Sequence, residues 1–255
     1  MKYHIWTEGC QMNVADSQRV ASALEQFGYA HEPEIEQADV IVLNTCTVRE
    51  KAEEKVFSRL GELREDARRA GTTPIMAVAG CLAQQEGAGL FRRSPVVDVV
   101  VGTQAAKRLP VLVEAAARDL SRQIDINPYE DVSFPLGLAR RSDPVRAWVT
   151  IIEGCNDHCA FCVVPSTRGH ERMRPKRDIL AEVREAVETG RREIHLLGQI
   201  VNHYQAPDDP GCDFAGLLAA VNGVHGVRRI RFASPHPRHV TPRLIAAIAD
   251  LPAVC

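Results

Sequence analysis

The chain has 255 residues, 45% of them hydrophobic, and a formal net charge of -2 at pH 7. This length and apolar content can bury one large or two ordinary cores, which excludes a disordered protein. A pI near 6.5 gives no global attraction for phosphates, so any contact with nucleic acid must come from local basic patches. The start, MKYHIWTEGC, lacks the features of a signal peptide, and we expect a cytoplasmic protein without membrane segments.

A short apolar run, a turn carrying a cysteine and an amphipathic helical pattern follow one another three times in the first hundred residues. The runs span residues 3–7, 40–44 and 75–79 and lead to Cys10, Cys46 and Cys81. A fourth strand over 96–101 and a helix over about 104–119 follow. The pattern predicts an α/β domain over residues 1–119, built as a doubly wound parallel sheet.

Regular periodicity fails over residues 120–145, where Pro128, Pro135, Gly137 and Pro144 indicate an interdomain linker. A second series of βα units then fills residues 146–255. Its predicted strands span 147–153, 193–197 and 229–233, and its predicted helices span 176–189 and 213–221 and begin again at 241. Three parallel strands cannot close a barrel, so we expect an incomplete (β/α) barrel and interpret Cys255 as an incomplete end.

Cys10, Cys46 and Cys81 each follow a predicted strand directly. Right-handed crossovers make such strands parallel, so the three thiols are expected at one carboxyl edge of the sheet, where α/β folds bind ligands. Three buried structural cysteines are the simpler alternative. Three matching positions favour ligands, and a 4Fe-4S cluster can be held by three cysteines, whereas a closed zinc site needs a fourth protein ligand.

Cys155, Cys159 and Cys162 form a CxxxCxxC pattern in the sequence GCNDHCAFC, directly after a predicted strand. Three thiolates leave one iron of a 4Fe-4S cluster open, and that iron can bind S-adenosylmethionine and reduce it to a 5′-deoxyadenosyl radical. The alternative is a zinc site completed by Cys212 or His158. Cys212 and Cys255 fit neither group of cysteines.

Less specific candidate site residues lie in the second series of βα units. Arg168 and Arg174 belong to a basic segment, RGHERMRPKR, that could contact nucleic-acid phosphates or the substrate, or could be a solvated turn and helix start. Gly198 and Gln199 end the second barrel strand on the expected catalytic face, where they could contact the cofactor or simply form a turn.

The motifs resemble those of the radical S-adenosylmethionine methylthiotransferases, and within them the MiaB-like tRNA enzymes. TEGCQMNVADSQ, LNTCTVREKAEEK and VAGCLAQQ are similar to the amino-terminal domain of that family. EGCNDHCAFCVVPSTRGHERMRP, LLGQIVNHY and IRFASPHP are similar to its radical domain. Ile200 stands where relatives usually have asparagine. Relatives continue into further barrel strands and an RNA-binding TRAM domain, which we expect to be absent here.

The resemblance implies two 4Fe-4S clusters. Cys10, Cys46 and Cys81 would hold an auxiliary cluster, and Cys155, Cys159 and Cys162 the cluster that cleaves S-adenosylmethionine. The implied reaction is methylthiolation of C2 of N6-isopentenyladenosine next to the anticodon of tRNA. The implied partners are the tRNA anticodon stem-loop, a reductase or flavodoxin-type electron donor, and a sulfur source.

Three alternatives stay open at this point. Two belong to the same family: methylthiolation of a ribosomal-protein aspartate, and methylthiolation of threonylcarbamoyladenosine in tRNA. The third, from another class, is a non-catalytic fragment that binds iron-sulfur clusters or transfers electrons.

Overall fold

The computed structural model describes residues 1–47, 50–127, 141 and 143–255, except for the side chains of residues 50–52. The chain divides into two compact units, residues 1–132 and 133–255, which are described separately below. Among the described residues, no helix combines the length and apolar character needed to cross a lipid bilayer.

Unit 1 is a parallel sheet covered by helices on both faces. Its strands are β1 (Lys2–Glu8), β2 (Ala30–His31), β3 (Val40–Thr45), β4 (Ile75–Gly80), β5 (Val99–Val101) and β6 (Gln123–Asp125). Its α-helices are α1 (Gln11–Gln26), α2 (Glu50–Ala70), α3 (Cys81–Glu86), α4 (Gly89–Arg93) and α5 (Leu109–Asp119). The sheet order is β2-β1-β3-β4-β5-β6, which confirms the predicted doubly wound α/β fold.

The central strand β3 shows why helices must cover both faces. All six of its residues are buried, and their side chains alternate between two hydrophobic cores. Val40 and Val42 contribute to the core beneath α1 and α5. Ile41 and Leu43 contribute to the core beneath α2, α3 and α4. A run of apolar residues without polar alternation is therefore the expected sequence of this buried parallel strand.

The predicted linker over residues 120–145 needs a correction. Residues 123–125 form β6, which pairs in parallel with β5 at the edge of the unit 1 sheet. The segment escapes a sequence pattern because it is short and only its last residue, Asp125, is buried. Residues 128–140 and 142 of the predicted linker, including Pro128, Pro135 and Gly137, lie outside the described residues.

Unit 2 contains a three-stranded parallel sheet with the order β11-β10-β7 and a separate antiparallel pair, β8-β9. Its strands are β7 (Arg146–Thr150), β8 (Ile152–Glu153), β9 (Arg172–Met173), β10 (Glu193–Leu197) and β11 (Arg229–Phe232). Its α-helices are α6 (Val164–Arg168), α7 (Lys176–Glu188), α8 (Phe214–Asn222) and α9 (Pro242–Asp250). The parallel strands and helices match the predicted partial barrel.

The strand predicted over residues 147–153 is divided in the structure. Ile151 still donates its backbone N–H to the carbonyl oxygen of Leu197 at 2.8 Å, as a continuation of the parallel ladder. The chain then turns, and Ile152 and Glu153 pair instead with β9. The cysteine loop therefore follows β8 and not the end of β7.

Candidate functional site

The carboxyl ends of β1, β3 and β4 bring the first three cysteines to one edge of the unit 1 sheet. Glu8 of β1 is aligned with Thr45 of β3, and Thr45 is aligned with Gly80 of β4. Cys46 and Cys81 follow Thr45 and Gly80 directly, and Cys10 comes two residues after Glu8. The predicted common edge is therefore present.

The three cysteines differ in burial. Cys46 is 5% exposed and Cys81 is 6% exposed, whereas Cys10 lies on the exposed side. Gly9 explains how the first turn comes so close to the second. A Cβ added at residue 9 would lie 3.0 Å from the Cβ of Cys46, so the backbone of one cysteine turn lies against the side chain of the next.

The position of these turns in the topology is also informative. β1 lies between β2 and β3. The connection after β1 leads to β2 on one side of β1, and the connection after β2 leads to β3 on the other side. In doubly wound folds, ligands bind outside the carboxyl ends of the strands at such a switch point. Cys10 and Cys46 lie at this switch point, and Cys81 lies one strand further along.

The second group of cysteines lies in the loop that follows β8. Cys155 is 7% exposed, and Cys159 and Cys162 are exposed. The backbone N–H of Asp157 donates to the Sγ of Cys155 at 3.4 Å, and the N–H of Cys162 donates to the carbonyl oxygen of Cys159 at 3.1 Å. Burial raises the pKa of the Cys155 thiol; binding to iron would favour its thiolate instead.

A glycine holds the start of this loop against a neighbouring segment. Gly154 has a φ of +74°, and a Cβ there would lie 2.1 Å from the carbonyl oxygen of His170. The N–H of Cys155 donates to the carbonyl oxygen of Gly169 at 3.1 Å. The N–H of Glu171 donates to Oδ1 of Asn156 at 3.0 Å. The first part of the cysteine loop is thus fixed by contacts with residues 169–171.

Loops after the other two parallel strands of unit 2 meet at the same edge. Asn202, after β10, exchanges two hydrogen bonds with the backbone of His236, after β11, at 2.9 and 2.7 Å. Arg238 forms an ion pair with Asp157 of the cysteine loop at 3.2 Å. The three strand ends therefore form one continuous surface. These contacts were not predicted from the sequence because their residues are 34 and 81 positions apart.

A histidine pair extends this surface. The rings of His203 and His239 stack with their centroids 4.2 Å apart, and His203 also pairs with Glu171 at 3.0 Å. Burial lowers the pKa of His239, with smaller contributions in the same direction from His203, Arg238 and His236. His239 is therefore protonated less readily than an exposed histidine.

Gly198 and Gln199 follow β10 directly, as expected. A Cβ added at residue 198 would lie 3.2 Å from the Cβ of Ile152 and 3.4 Å from the Cα of Val201, so this turn packs closely against β8. The Oε1 of Gln199 is buried without a hydrogen-bond partner among the described residues. A buried acceptor of this kind is unusual and is available to a donor on a bound molecule.

Two predicted substrate contacts need correction. Arg168 is 5% exposed and Arg174 is 2% exposed, whereas a phosphate contact requires an accessible guanidinium. Arg174 forms an ion pair with Glu182 and donates to the carbonyl oxygen of Thr150 at 3.3 Å. Glu182 also accepts from the buried Arg141 at 3.1 Å. Arg174 therefore joins α7 to β7 inside unit 2.

Phe161 was not predicted from the sequence as a site residue. It is 92% exposed although it lies between two cysteines of the second triad, Cys159 and Cys162. A large aromatic side chain that contacts little of its own protein is a candidate for contact with a bound molecule. The signal was visible in the sequence as the aromatic residue in CAFC.

The other two cysteines, Cys212 and Cys255, lie on other segments of unit 2. Cys212 is 4% exposed and belongs to the core of unit 2, and burial raises the pKa of its thiol. Cys255 is exposed. These positions agree with the interpretation that neither residue belongs to a cysteine triad.

A compact site for a single metal ion is absent from the part of the chain that the structure describes. Within residues 1–47, 50–127, 141 and 143–255, no three Cys, His, Asp or Glu side chains converge closely enough to hold one metal ion. In a 4Fe-4S cluster each thiolate binds a different iron, so the three sulfurs stand further apart than the ligands of a single ion. Placement of both triads at strand ends, with thiols that can become thiolate ligands, fits a cluster of this kind.

Family models match both units of the chain. Residues 2–102 match a family described as "Uncharacterized protein family UPF0004", and residues 149–254 match the "Radical SAM superfamily". The second match begins in β7 and includes the CxxxCxxC loop. The fold and the cysteine loop thus place residues 149–254 in the class of radical S-adenosylmethionine domains.

Curated relatives narrow the class. The chain is 48% identical over 255 residues to "tRNA-2-methylthio-N(6)-dimethylallyladenosine synthase" of Parafrankia sp., covering 99% of this chain and 51% of the relative. It is 46% identical to the protein of the same name from Frankia alni, again covering 99% of this chain and 51% of the relative. The chain therefore spans about half the length of these relatives. Over almost its whole length it is similar to these MiaB-like methylthiotransferases.

A solved structure shares the fold at much lower identity. It is described as the radical S-adenosylmethionine methyltransferase TsrM from Kitasatospora setae, with tryptophan substrate and a SAM analogue bound. The TM-score is 0.60 at 14% identity, covering 99% of this chain and 67% of that chain.

Proposed function

We propose that the protein containing these residues is a transferase that methylthiolates tRNA, replacing the hydrogen on C2 of N6-isopentenyladenosine beside the anticodon. Support comes from relatives that are 45% to 48% identical over 99% of this chain and share one enzyme name. The observation that carries the proposal is the pair of cysteine triads, the first at the carboxyl ends of parallel strands and the second in the loop after β8. A tRNA substrate is consistent with action in the cytoplasm.

The second triad supplies the reactive centre in this proposal. Cys155, Cys159 and Cys162 would hold a 4Fe-4S cluster, which when bound supplies the electron that cleaves S-adenosylmethionine. Gly154 and Asn156 fix the start of the loop through contacts with residues 169–171. Exposure of Cys159, Phe161 and Cys162 leaves room for S-adenosylmethionine on the open side of the loop. The buried Oε1 of Gln199 is a candidate acceptor for that molecule.

The first triad would hold a second, auxiliary 4Fe-4S cluster through Cys10, Cys46 and Cys81. A methylthio group requires a sulfur atom in addition to a methyl group, and the open corner of a cluster with three cysteine ligands is a suitable place to receive it. Partial exposure at Cys10 would allow sulfur to arrive from an external source. An electron donor of the reductase or flavodoxin type would serve the clusters.

The chemistry of the substrate explains the need for a radical. The C2–H bond of the adenine ring is neither acidic nor electrophilic, so acid-base catalysis alone cannot open it. A carbon radical can break this bond by abstracting the hydrogen atom. One S-adenosylmethionine would provide the radical and another the methyl group, so that C–H is replaced by C–S–CH3.

The test uses a full-length version of the protein, expressed in a host that lacks its own tRNA methylthiotransferase. We expect nucleosides from its tRNA to contain 2-methylthio-N6-isopentenyladenosine by mass spectrometry. Cys159→Ser and Cys46→Ser should each abolish the product, whereas Cys212→Ser should retain it. Product formation that survives loss of either triad would contradict the proposal.

The same full-length protein also distinguishes the proposed reaction from the alternative functions. Methylthiolation of a ribosomal-protein aspartate, or of threonylcarbamoyladenosine in tRNA, would give a different modified product in the same host. A non-catalytic iron-sulfur protein would give no 5′-deoxyadenosine after anaerobic reduction with S-adenosylmethionine. Detection of 5′-deoxyadenosine without either tRNA product would refute the proposed substrate but support the proposed radical chemistry.

A further inference from the structure

Two asparagines lie buried beneath the turns that carry the first cysteine triad. Asn13 is 0% exposed and Asn44 is 1% exposed. Asn13 lies in the first turn of α1, three residues after Cys10, and Asn44 lies near the end of β3, two residues before Cys46. Burying an amide is costly unless its polar atoms are hydrogen-bonded.

A hydrogen bond to the backbone fixes the orientation of the Asn44 side-chain amide. Its Nδ2 donates to the backbone carbonyl oxygen of Asn13 at 2.8 Å and to the hydroxyl of Ser17 at 2.8 Å. A carbonyl oxygen can only accept, so the NH2 group must face Asn13 O. The Oδ1 of Asn44 consequently faces the opposite way and accepts from Nδ2 of Asn13 at 3.3 Å.

The orientation of Asn44 then determines that of Asn13. With its Nδ2 directed to Asn44, Asn13 must present Oδ1 to the turn at Cys10. That oxygen accepts from the backbone N–H of Cys10 at 3.3 Å and lies 3.4 Å from its Sγ. Cys10 and Asn13 also form a capping box at the start of α1. A chain of hydrogen bonds with one possible polarity therefore runs from β3 to the sulfur of Cys10.

The same asparagine contacts the third turn. A Cβ added at Gly80, directly before Cys81, would lie 2.3 Å from Oδ1 of Asn44. Asn44 thus lies against the backbone of the Cys81 turn. Beyond these amides, Thr47 donates to Oε1 of Gln85 in α3 at 2.8 Å, which joins the Cys46 turn to the helix that Cys81 begins.

A hydroxyl pair secures the other end of the network. Ser17 lies on α1, and its Oγ is 2.7 Å from Oγ1 of Thr7 on β1. Through Ser17 and Asn44, α1 is hydrogen-bonded to both neighbouring strands. The relative positions of β1, β3 and α1 at this edge are therefore set by side chains as well as by the sheet.

We propose that Asn13 and Asn44 are positioning residues for the auxiliary cluster: they set the spacing of the turns that carry Cys10, Cys46 and Cys81. The inference rests on the proposed function of that triad. Neither amide needs to bind iron, because each acts through the backbone and cysteine turns that it contacts. The positions of the cysteine sulfurs, and hydrogen bonds near them, alter the electronic properties of an iron-sulfur cluster. The positioning role of Asn13 and Asn44 can therefore be tested by spectroscopy of the cluster.

The test uses the whole chain with Cys155, Cys159 and Cys162 changed to Ser, so that iron reports on the first triad alone. Asn13→Asp is the main variant. α1 has no acidic residue in its first turn, and an aspartate there favours the helix. The new carboxylate cannot donate to Asn44, and it places negative charge beside the sulfur of Cys10, itself a negatively charged ligand when bound to iron.

Asn44→Asp is the second variant, because it removes the donor to Asn13 O and Ser17. Asn222→Asp is the matched control. The Oδ1 of Asn222 accepts from the backbone N–H of Ala253 at 3.1 Å, and a carboxylate preserves that acceptor. Iron and sulfide content, the electron paramagnetic resonance spectrum of the reduced cluster and urea unfolding of the cluster-free chain are measured for each variant.

We expect the parent chain and Asn222→Asp to bind about four irons after reconstitution. Asn13→Asp and Asn44→Asp should bind less than half as much, or show a shifted spectrum, while the cluster-free Asn13→Asp chain unfolds at the same urea concentration as its parent. Full iron with an unchanged spectrum in both variants would overturn the inference, as would unfolding of both cluster-free variants. A parent chain that binds no iron would instead overturn the proposed function of the first triad.

Discussion

Oδ1 of Asn44 lies 2.3 Å from the point where a Cβ on Gly80 would stand. Only glycine fits between the side chain of Asn44 on β3 and the backbone that leads to Cys81. This contact couples the packing of two adjacent strands to the position of a proposed cluster ligand.

Replacement of Gly80 by alanine should therefore destabilise unit 1. Gly80 has a φ of +89°, and an added Cβ would also lie 2.7 Å from the carbonyl oxygen of Thr45. Gly71→Ala is the matched control, since Gly71 has a φ of +67° with nothing within 4 Å of its Cβ position. We expect Gly80→Ala to lower the free energy of unfolding by roughly 2 kcal/mol more than Gly71→Ala. Equal losses in urea titrations would show that the close contact is unimportant.

Gly154→Ala should affect the second triad. Strain from a positive φ and collision with the carbonyl oxygen of His170 would both displace the loop that carries Cys155. Gly190 provides the control because its φ is +98° and nothing lies within 4 Å of its Cβ position. We expect the iron content of the reconstituted chain to fall from about eight to about four per chain in Gly154→Ala. Gly190→Ala should retain about eight, and the same iron loss in both variants would refute the role of this contact.

The stability of unit 2 should fall in acid through Glu193. Hydrogen bonds from Arg229, and next from His195, lower the pKa of Glu193 from 4.5 to about 2. Because the folded pKa is below the unfolded value, the stabilisation is present above about pH 4.5 and is lost as the pH falls towards about 2. Arg229 is 46% exposed, so solvent screening limits the effect to roughly 1 kcal/mol.

Urea unfolding across that pH interval tests this expectation. Glu193→Gln should be less stable than the parent near neutral pH and should lose less stability in acid. Glu188→Gln, at an exposed position of α7, is the control and should follow the parent. Identical acid dependence of the parent and Glu193→Gln would contradict the assignment.

The first cysteine triad shows how far sequence reasoning reaches. Strand runs before Cys10, Cys46 and Cys81 predicted one common edge, because parallel βα units place every strand end on the same side. The asparagines that join the turns were not predicted. Asn13 and Asn44 are 31 residues apart, and nothing in either local pattern shows that the two amides meet in the interior.

The basic segment shows a case in which the sequence did not predict the position of a side chain. Six charged residues in RGHERMRPKR suggested a surface that could contact phosphates, yet Arg174 is buried beside Glu182 of α7. Charge alone does not distinguish a solvated arginine from one paired in the interior, because burial depends on partners supplied by other elements. β6 was missed for a related reason: its assignment depends on pairing with β5, not on its own composition.

Iron counting is the most direct test of the central claim, that two separate cysteine triads hold clusters. After anaerobic reconstitution, the chain should contain about eight irons, and replacement of either triad by serine should leave about four. Cys212→Ser should keep all of them. Bound zinc in place of iron, or an iron content that does not change when a triad is removed, would contradict the account.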